Sequence, residues 1–270
     1  MPEATIAQRV VRAKRALTAA RVPFELPAAD ALTGRLVSVL EVIYLVFNEG
    51  YCATSGGDWM RPALCDEALR LGRVMMTLMP QQDEVQGLAA LMEIQASRTA
   101  TRTDAHGQPV LLLDQDRRRW DALLIGRGLA ALKRAQALAS IDGPGPYTLQ
   151  AAIAACHARA TTAEATDWPL IVTLYEALAR RTPSPVIELN RAVAVGMAYG
   201  PDKALVIVDA LMNEPALARY HLLPAVRADL LAKLARCDEA RVEFERAASM
   251  TSNDRERAVL MSRAQAMAAT

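Results

Sequence analysis

The second half of this sequence repeats a pair of alanines, and the repeat restricts the folds that are open to the chain. Ala192 and Ala204 recur as Ala228 and Ala240, in each case 36 positions further along. Bulky apolar residues follow the second alanine of each pair at helical intervals. A small side chain in each of two consecutive helices allows the two helices to approach closely. The spacing therefore predicts antiparallel helix pairs, each of which buries its apolar face against the next pair.

A period of 36 residues is close to the roughly 34 residues of tetratricopeptide repeats. Residues 167–250 resemble a degenerate array of this kind, in which the aromatic and glycine positions of the first helix are missing. The resemblance implies an all-α fold with a right-handed helical-repeat array. Such arrays are usually binding or packing surfaces. We expect the concave face to hold another protein segment, with Asn190, Arg191 and Arg227 as the residues of the protein-interaction groove.

The composition agrees with a helical fold. The chain is 52% hydrophobic but only 4% aromatic, and a sequence rich in alanine and leucine favours helices over sheets. The formal net charge is +1, so the chain as a whole has no electrostatic attraction to nucleic acid. The distribution of charge along the chain is therefore more informative than its sum.

The cysteines and the hydropathy predict a soluble, cytoplasmic protein. Cys52, Cys65, Cys156 and Cys237 do not have the spacing of a metal site, and isolated cysteines are typical of a reducing compartment. The longest apolar stretch, residues 36–47, is shorter than the roughly 20 residues that a membrane span needs. The first residues do not have the pattern of a signal peptide.

The start of the chain is basic. Residues 9–21 contain five arginines and lysines and no acidic residue. Residues 2–20 predict one amphipathic helix, whose apolar stripe contains Ile6, Val10 and Leu17. A face of arginine and glutamine can lie in the major groove of DNA, where arginine reads guanine and glutamine reads adenine. A solvated basic surface has the same pattern.

Six segments resemble a family of transcription factors. They are PEATIAQRVVRAKR at residues 2–15, RVPF at 21–24, VIYLVFNEGY at 42–51, DQDR at 114–117, GPYTLQAAIAA at 145–155 and PSPVIELNRAVAV at 183–195. The family is that of the extracytoplasmic-function (ECF) sigma factors of RNA polymerase. The chain is similar, nearly from end to end, to the subgroup that carries a long helical C-terminal extension with tetratricopeptide-like repeats.

The resemblance implies specific roles. The first helix is similar to the recognition helix of sigma region 4, which belongs to a helix-turn-helix and reads the −35 promoter element. The implied DNA-binding residues are Thr5, Gln8, Arg9, Arg12, Lys14 and Arg15. The implied partners are core RNA polymerase and promoter DNA, through the full-length protein, together with a small regulatory protein and no membrane.

The resemblance also implies a domain organisation. Residues 1–22 correspond to the end of region 4, residues 23–142 to a helical extension domain, and residues 143–270 to the tetratricopeptide-like repeats. Region 2 and the first helices of region 4 have no counterpart in this sequence. We therefore expect the chain to be the C-terminal part of a longer sigma factor, in which the extension regulates sigma activity.

The sequence does not contain the motifs of an enzyme. A glycine-rich phosphate loop, a G-x-S-x-G elbow and an H-E-x-x-H motif are missing. The three histidines, His106, His157 and His221, lie in three different segments. We expect no catalytic residues, no metal and no cofactor. The alternative to a sigma factor is a free-standing helical-repeat scaffold that binds proteins but not DNA.

Several local predictions concern single residues. Residues 32–47 are apolar on almost every face and predict a buried central helix. Glu49, which follows, is expected to accept hydrogen bonds from backbone or arginine donors around its loop. Asp58 and Asp167 are candidate N-caps of the helices that follow them. His157 is expected to be packed and hydrogen-bonded rather than catalytic.

Overall fold

The computed structural model describes residues 29–268 and, before them, residues 8, 11–12, 14–16 and 18–20. These residues form α-helices, short 3₁₀ helices, turns and three isolated β-bridges, and no β-strand occurs among them. The prediction of an all-α fold is confirmed.

Eleven α-helices follow one another between residues 29 and 268. They are α1 (Ala29–Tyr51), α2 (Pro62–Leu78), α3 (Asp83–Ala96), α4 (Ala122–Leu138), α5 (Pro146–Arg159), α6 (Trp168–Arg181), α7 (Pro185–Tyr199), α8 (Pro201–Leu211), α9 (Leu222–Lys233), α10 (Cys237–Met250) and α11 (Asp254–Ala268). Short 3₁₀ helices lie at Thr99–Thr101, Leu112–Asp114, Arg117–Arg119 and Pro215–Leu217.

The chain divides into two compact units, Met1–Val39 and Leu40–Thr270. In the first unit, the described residues before residue 20 have helical backbone, and their side chains are exposed. The second unit contains most of α1 and all of the later helices.

Proline and aspartate set several helix starts. Proline is among the first two residues of α5, α6, α7 and α8. In the first turn of a helix a backbone N–H has no partner within the helix, so the N–H that proline lacks is not needed there. Asp167 caps α6, because its Oδ1 accepts a hydrogen bond from the amide of Leu170 at 3.0 Å. This predicted cap is confirmed. The predicted cap at Asp58 is wrong, since α2 begins at Pro62 after Arg61.

The helix α1 is buried along one stripe only. Its buried side chains recur at helical spacing, at Leu36, Leu40, Ile43 and Phe47. Its opposite side carries exposed apolar residues, among them Val42 at 59% and Leu45 at 60% exposure. The prediction that residues 32–47 form a buried central helix is therefore wrong for the side that carries Val42 and Leu45. Apolar composition alone does not distinguish a buried face from an exposed one.

The first core of the second unit is built around α3, which is buried over most of its length. Two glycines allow its neighbours to approach closely. A Cβ atom added to Gly87 of α3 would lie 2.5 Å from the Thr148 hydroxyl of α5. A Cβ atom added to Gly128 of α4 would lie 2.5 Å from the Ile94 side chain of α3. The glycines thus place α4 and α5 directly against α3.

The second core contains the four alanines of the sequence repeat. Ala192, Ala204, Ala228 and Ala240 lie in α7, α8, α9 and α10, and each is fully buried. Each of these helices contacts the next one along the chain. A Cβ atom added to Gly196 of α7 would lie 3.1 Å both from the Ala204 Cβ and from a Leu230 methyl group. Small residues therefore lie at the helix contacts, as their spacing predicts.

A polar contact joins the loop after α1 to the start of α11. The side-chain amide of Asn253 is buried and donates hydrogen bonds to the carbonyls of Ala53 (3.1 Å) and Asp58 (2.9 Å). The backbone adds a bridge between Gly56 and Asn253. The Asn253 carboxamide oxygen accepts hydrogen bonds from the first amides of α11. One side chain thus both caps a helix and holds a loop.

Candidate functional site

Four of the six predicted DNA-binding residues lie within the described part of the first unit. Gln8, Arg12, Lys14 and Arg15 have helical backbone and exposed side chains. The hydroxyl of Thr18 donates a hydrogen bond to the Lys14 carbonyl at 2.9 Å, one helical turn back. The two other residues, Thr5 and Arg9, lie outside the described residues. The three charged side chains among them, Arg12, Lys14 and Arg15, form no ion pair with another described residue.

The three predicted groove residues have different surroundings. Arg191 pairs with Glu188 on its own helix, at 2.5 Å. Arg227 of α9 binds Asp209 at the end of α8 (2.8 Å) and Glu243 of α10 (3.0 Å). Both arginines therefore have partners inside the chain, and Arg227 connects three consecutive helices. Asn190 is exposed on α7 and lines a cavity.

This cavity has a volume of about 460 Å³ and lies among α1, α3, α5, α6 and α7. The size is in the range of small-molecule sites. Its apolar lining residues are Leu91, Leu112, Ile153, Ala154, Leu178, Val186 and Ile187. Its polar lining residues are Tyr44, Gln95, Arg98, Gln150, His157, Tyr175 and Asn190. The cavity therefore combines apolar walls with a small set of polar groups.

Arg98 is the buried charge of the cavity. Arg98 lies two residues after the end of α3 and is only 9% exposed. Its Nε has no hydrogen-bond partner, and its guanidinium forms no ion pair with a carboxylate of the described residues. Burial lowers the pKa of Arg98. The interaction with Tyr51, which includes a side-chain hydrogen bond, acts in the opposite direction, and the charge of Arg102 lowers the pKa further. An unpaired buried charge is costly and needs a compensating interaction.

Two more arginines lie close to Arg98 and stack on aromatic rings. The Arg102 guanidinium lies 3.4 Å from the centroid of the Tyr51 ring. The Arg117 guanidinium lies 5.1 Å from the Trp120 ring, and Arg98 lies 5.8 Å from the same ring. We call Arg98, Arg102 and Arg117 the arginine cluster. Cation–π contacts stabilise it in part, but no described carboxylate forms an ion pair with any of its members.

Arg117 fixes the end of α5 beside the cavity. Its Nη1 donates hydrogen bonds to the carbonyls of His157 (2.8 Å) and Ala160 (3.0 Å). Its Nη2 donates to the Thr166 hydroxyl at 3.1 Å. These carbonyls belong to the last turn of the helix and the residue after it, where cations are favourable. Arg117 therefore has a structural role that Arg98 does not share.

His157 lies on the cavity wall as a neutral imidazole. Burial lowers its pKa from 6.5 to about 4, and the charges of Arg98 and Arg117 act in the same direction. Its ring packs edge-on against Trp168, with the centroids 5.2 Å apart. The prediction that His157 is packed is confirmed. Its Nδ1 is buried without a hydrogen-bond partner among the described residues, so the prediction that it is hydrogen-bonded is wrong for this atom.

Glu49 has the role that its sequence position predicts. Its carboxylate accepts a hydrogen bond from the amide of Thr54 at 3.2 Å and pairs with Arg61 at 2.8 Å. Both partners belong to the segment between α1 and α2. The prediction that Glu49 satisfies donors around its loop is confirmed.

The sequence pattern does not reveal the arginine cluster. Its members lie at positions 98, 102 and 117, outside the α-helices and in segments without hydrophobic periodicity. Their aromatic partners come from the end of α1 and from two loops. A usable signal would have been the three consecutive arginines directly before Trp120. Periodicity does not reveal contacts between loops.

Comparisons with known proteins relate the chain to sequences without an assigned function. Residues 35–136 match a family of unknown function, DUF6596. This segment runs from within α1 to within α4 and contains the whole arginine cluster. The chain is also similar to an uncharacterized protein of Rhizobium meliloti (strain 1021), with 46% identity over 258 residues. The match covers 96% of this chain but 60% of that protein, so the chain spans about three-fifths of the relative's length.

The described residues were also compared with the requirements of a membrane-spanning helix and of a metal site. Among the residues that the structure describes, no helix has the length and apolar character that crossing a membrane requires. The same part of the chain contains no group of three or more histidine, cysteine, aspartate or glutamate side chains placed to hold a metal ion.

Proposed function

We propose that the chain is the C-terminal part of an ECF-type sigma factor, which directs RNA polymerase to specific promoters. In this proposal residues 1–22 are the end of the region 4 recognition helix. The helical body, residues 23–142 and 143–270, regulates sigma activity through protein–protein or intramolecular contacts. The site of action is the cytoplasm, and the partners are core RNA polymerase, promoter DNA and a small regulatory protein.

The first unit supports this proposal most directly. Gln8, Arg12, Lys14 and Arg15 have helical backbone, are exposed, and form no ion pair with a described residue. Exposed cations and amides on one helix are the groups that contact phosphates and base edges in the major groove.

The second unit supports a repeat-containing extension. The buried alanines recur in α7, α8, α9 and α10, and consecutive helices contact each other. Tetratricopeptide-like arrays also pack neighbour to neighbour, so these contacts support the proposal of a repeat-containing extension. The Rhizobium relative contributes a further point, because the match covers only 60% of its length. That protein therefore has sequence in addition to the matched part, as a sigma factor with a C-terminal extension requires.

The complete Rhizobium relative provides the test. We would compare it with a shortened form that ends at the position matching Asp30 of this chain and so keeps the proposed recognition helix, in binding to purified core RNA polymerase and in run-off transcription. The complete protein should bind core polymerase and initiate transcription. The shortened form should still bind, and its transcription output should differ. A complete relative that neither binds core polymerase nor initiates would overturn the proposal.

A free-standing helical-repeat scaffold is the second candidate. It is favoured by the second unit, because Leu40–Thr270 is compact by itself. A scaffold would bind a protein partner without affinity for core polymerase. The same binding experiment therefore separates the two candidates, since the sigma factor requires polymerase binding and the scaffold excludes it.

A further inference from the structure

We propose that the cavity lined by Arg98 and His157 is a binding site for a small carboxylate with an apolar body. This site lies entirely within the unit Leu40–Thr270, and its residues are distinct from the DNA-binding residues of the first unit. The proposal is therefore independent of the sigma-factor function.

The unpaired charge of Arg98 is the reason to expect an anion. Its side chain is more than nine-tenths buried, lines the cavity, and has no carboxylate partner among the described residues. Two further cations, Arg102 and Arg117, stand close by, so the surroundings do not neutralise it. A carboxylate bound at Arg98 would supply the missing countercharge. Arginine binds carboxylates with two parallel hydrogen bonds, which gives both strength and orientation.

The remaining polar groups suit a carboxylate of this kind. His157 is neutral and has an unpartnered Nδ1, while Gln95 and Asn190 form no side-chain hydrogen bond with a described residue. Neutral amides and an imidazole can hydrogen-bond the second oxygen or another polar group of a ligand. Among the described residues that line the cavity, Arg98 is the one that carries a charge. The donor set therefore favours a single negative charge.

The rest of the cavity favours an apolar body. Leu91, Ile153, Leu178 and Ile187 form much of the wall. A volume of about 460 Å³ exceeds what a carboxylate group alone would fill. Small-molecule sites typically combine apolar walls with a few polar groups that fix orientation. An aromatic or branched aliphatic carboxylic acid meets both requirements.

A purely structural role for Arg98 is the competing explanation. Its guanidinium lies 5.7 Å from the Tyr51 ring centroid and 5.8 Å from that of Trp120. Cation–π contacts of this kind stabilise a buried arginine. In that case the protein would show no preference for a charged ligand over an uncharged one of the same shape. This difference separates the two explanations.

The experiment uses 2-naphthoate and its uncharged counterpart 2-naphthylmethanol as probes, in isothermal titration calorimetry and thermal unfolding. The wild-type chain should bind naphthoate saturably, at least about tenfold more tightly than the alcohol. Arg98→Met should lose this preference, and Arg98→Lys should retain part of it. Arg70→Met is the control, since Arg70 is exposed on α2 and pairs with Glu67 on the same helix.

A second variant tests the cavity without changing Arg98. Ile187→Trp places a larger side chain on the cavity wall, and naphthoate binding should be lost while the helical circular dichroism spectrum is kept. Equal binding of naphthoate and the alcohol by the wild type would overturn the proposal. So would undiminished binding in both Arg98→Met and Ile187→Trp, or the absence of saturable binding. Inorganic phosphate that competes as strongly as naphthoate would overturn the assignment of an apolar carboxylate.

Discussion

The carboxylate of Glu84 in α3 accepts hydrogen bonds from Thr148 in α5, from its backbone amide at 3.0 Å and from its hydroxyl at 2.9 Å. The amide of Tyr147 donates to the same carboxylate at 2.8 Å. Glu84 therefore caps the first turn of a helix that begins 62 residues after it in the chain. A negative charge at this helix end is also favoured by the helix dipole.

Replacement of Glu84 should destabilise the second unit. Glu84→Ala leaves the Tyr147 and Thr148 amides without their acceptor, so we expect a loss of about 1–3 kcal/mol in the free energy of unfolding. Urea unfolding followed by circular dichroism measures this loss. Glu67→Ala is the control, because Glu67 is exposed and pairs only with Arg70 on its own helix. A loss no larger than that of the control would contradict the capping role.

Enlargement of the repeat alanines should strain the second core. Ala228 is fully buried in α9, and a larger side chain in a packed core forces its neighbours to shift, so Ala228→Leu should cost about 1–3 kcal/mol. Ala210→Leu is the matched control, since Ala210 is exposed on α8 and a surface change is expected to stay within about 0.5 kcal/mol. Urea unfolding of both variants decides the point. Equal stabilities would mean that close helix contact does not depend on this alanine.

Acidification should weaken the fold through His157. Its pKa is lowered from 6.5 to about 4 in the folded chain, so between these values the unfolded chain binds more protons. The free energy of unfolding therefore falls as the pH falls. The contribution of His157 to this loss is about 2 kcal/mol between pH 7 and pH 5. His157→Gln should lose correspondingly less on acidification, whereas His106→Gln, on an exposed loop, should behave like the wild type. Parallel losses in all three proteins would contradict the prediction.

The chain alone should bind DNA weakly and without sequence preference. A few exposed cations give a salt-dependent attraction to phosphates, but base readout requires a helix held at a fixed angle in the groove. Fluorescence anisotropy with a −35 consensus duplex and a scrambled duplex should give matching curves. Replacement of Arg12 and Arg15 by glutamine should weaken both equally, and Arg70→Gln should weaken neither. A clear preference for the consensus at physiological salt would be the contrary result.

Local rules predict the helices and the caps at the ends of several of them. Proline at the start of α7 and the side chain of Asp167 before α6 act within one turn, so the sequence contains all the groups involved. The burial of the four alanines in α7 to α10 is also predictable, because small residues that recur at a regular spacing are typical of close helix contacts. The donors that bind the Glu49 carboxylate, Thr54 and Arg61, lie within twelve residues of it. The role predicted for Glu49 is confirmed because it, too, depends only on residues close in the chain.

Contacts between distant segments are not predictable in this way. The exposure of Val42 and Leu45 on α1 depends on which neighbours cover that helix, and composition does not specify them. Arg98 and Trp120 meet because two loops fold together, without any shared periodicity. The DNA-binding and groove assignments rest on resemblance, and for Arg191 and Arg227 the structure adds internal ion pairs.

The hydrogen bond between Asn253 and Ala53 also has a consequence for synthesis on the ribosome. The two residues are separated by 200 positions, so the loop after α1 emerges long before its partner exists. At roughly 5–20 residues per second, the delay is about 10–40 s. During that interval the carbonyls of Ala53 and Asp58 have only water to accept from. The helices α3 to α5 can already pack within this time, and the completion of the loop depends on a segment that is translated 200 positions later.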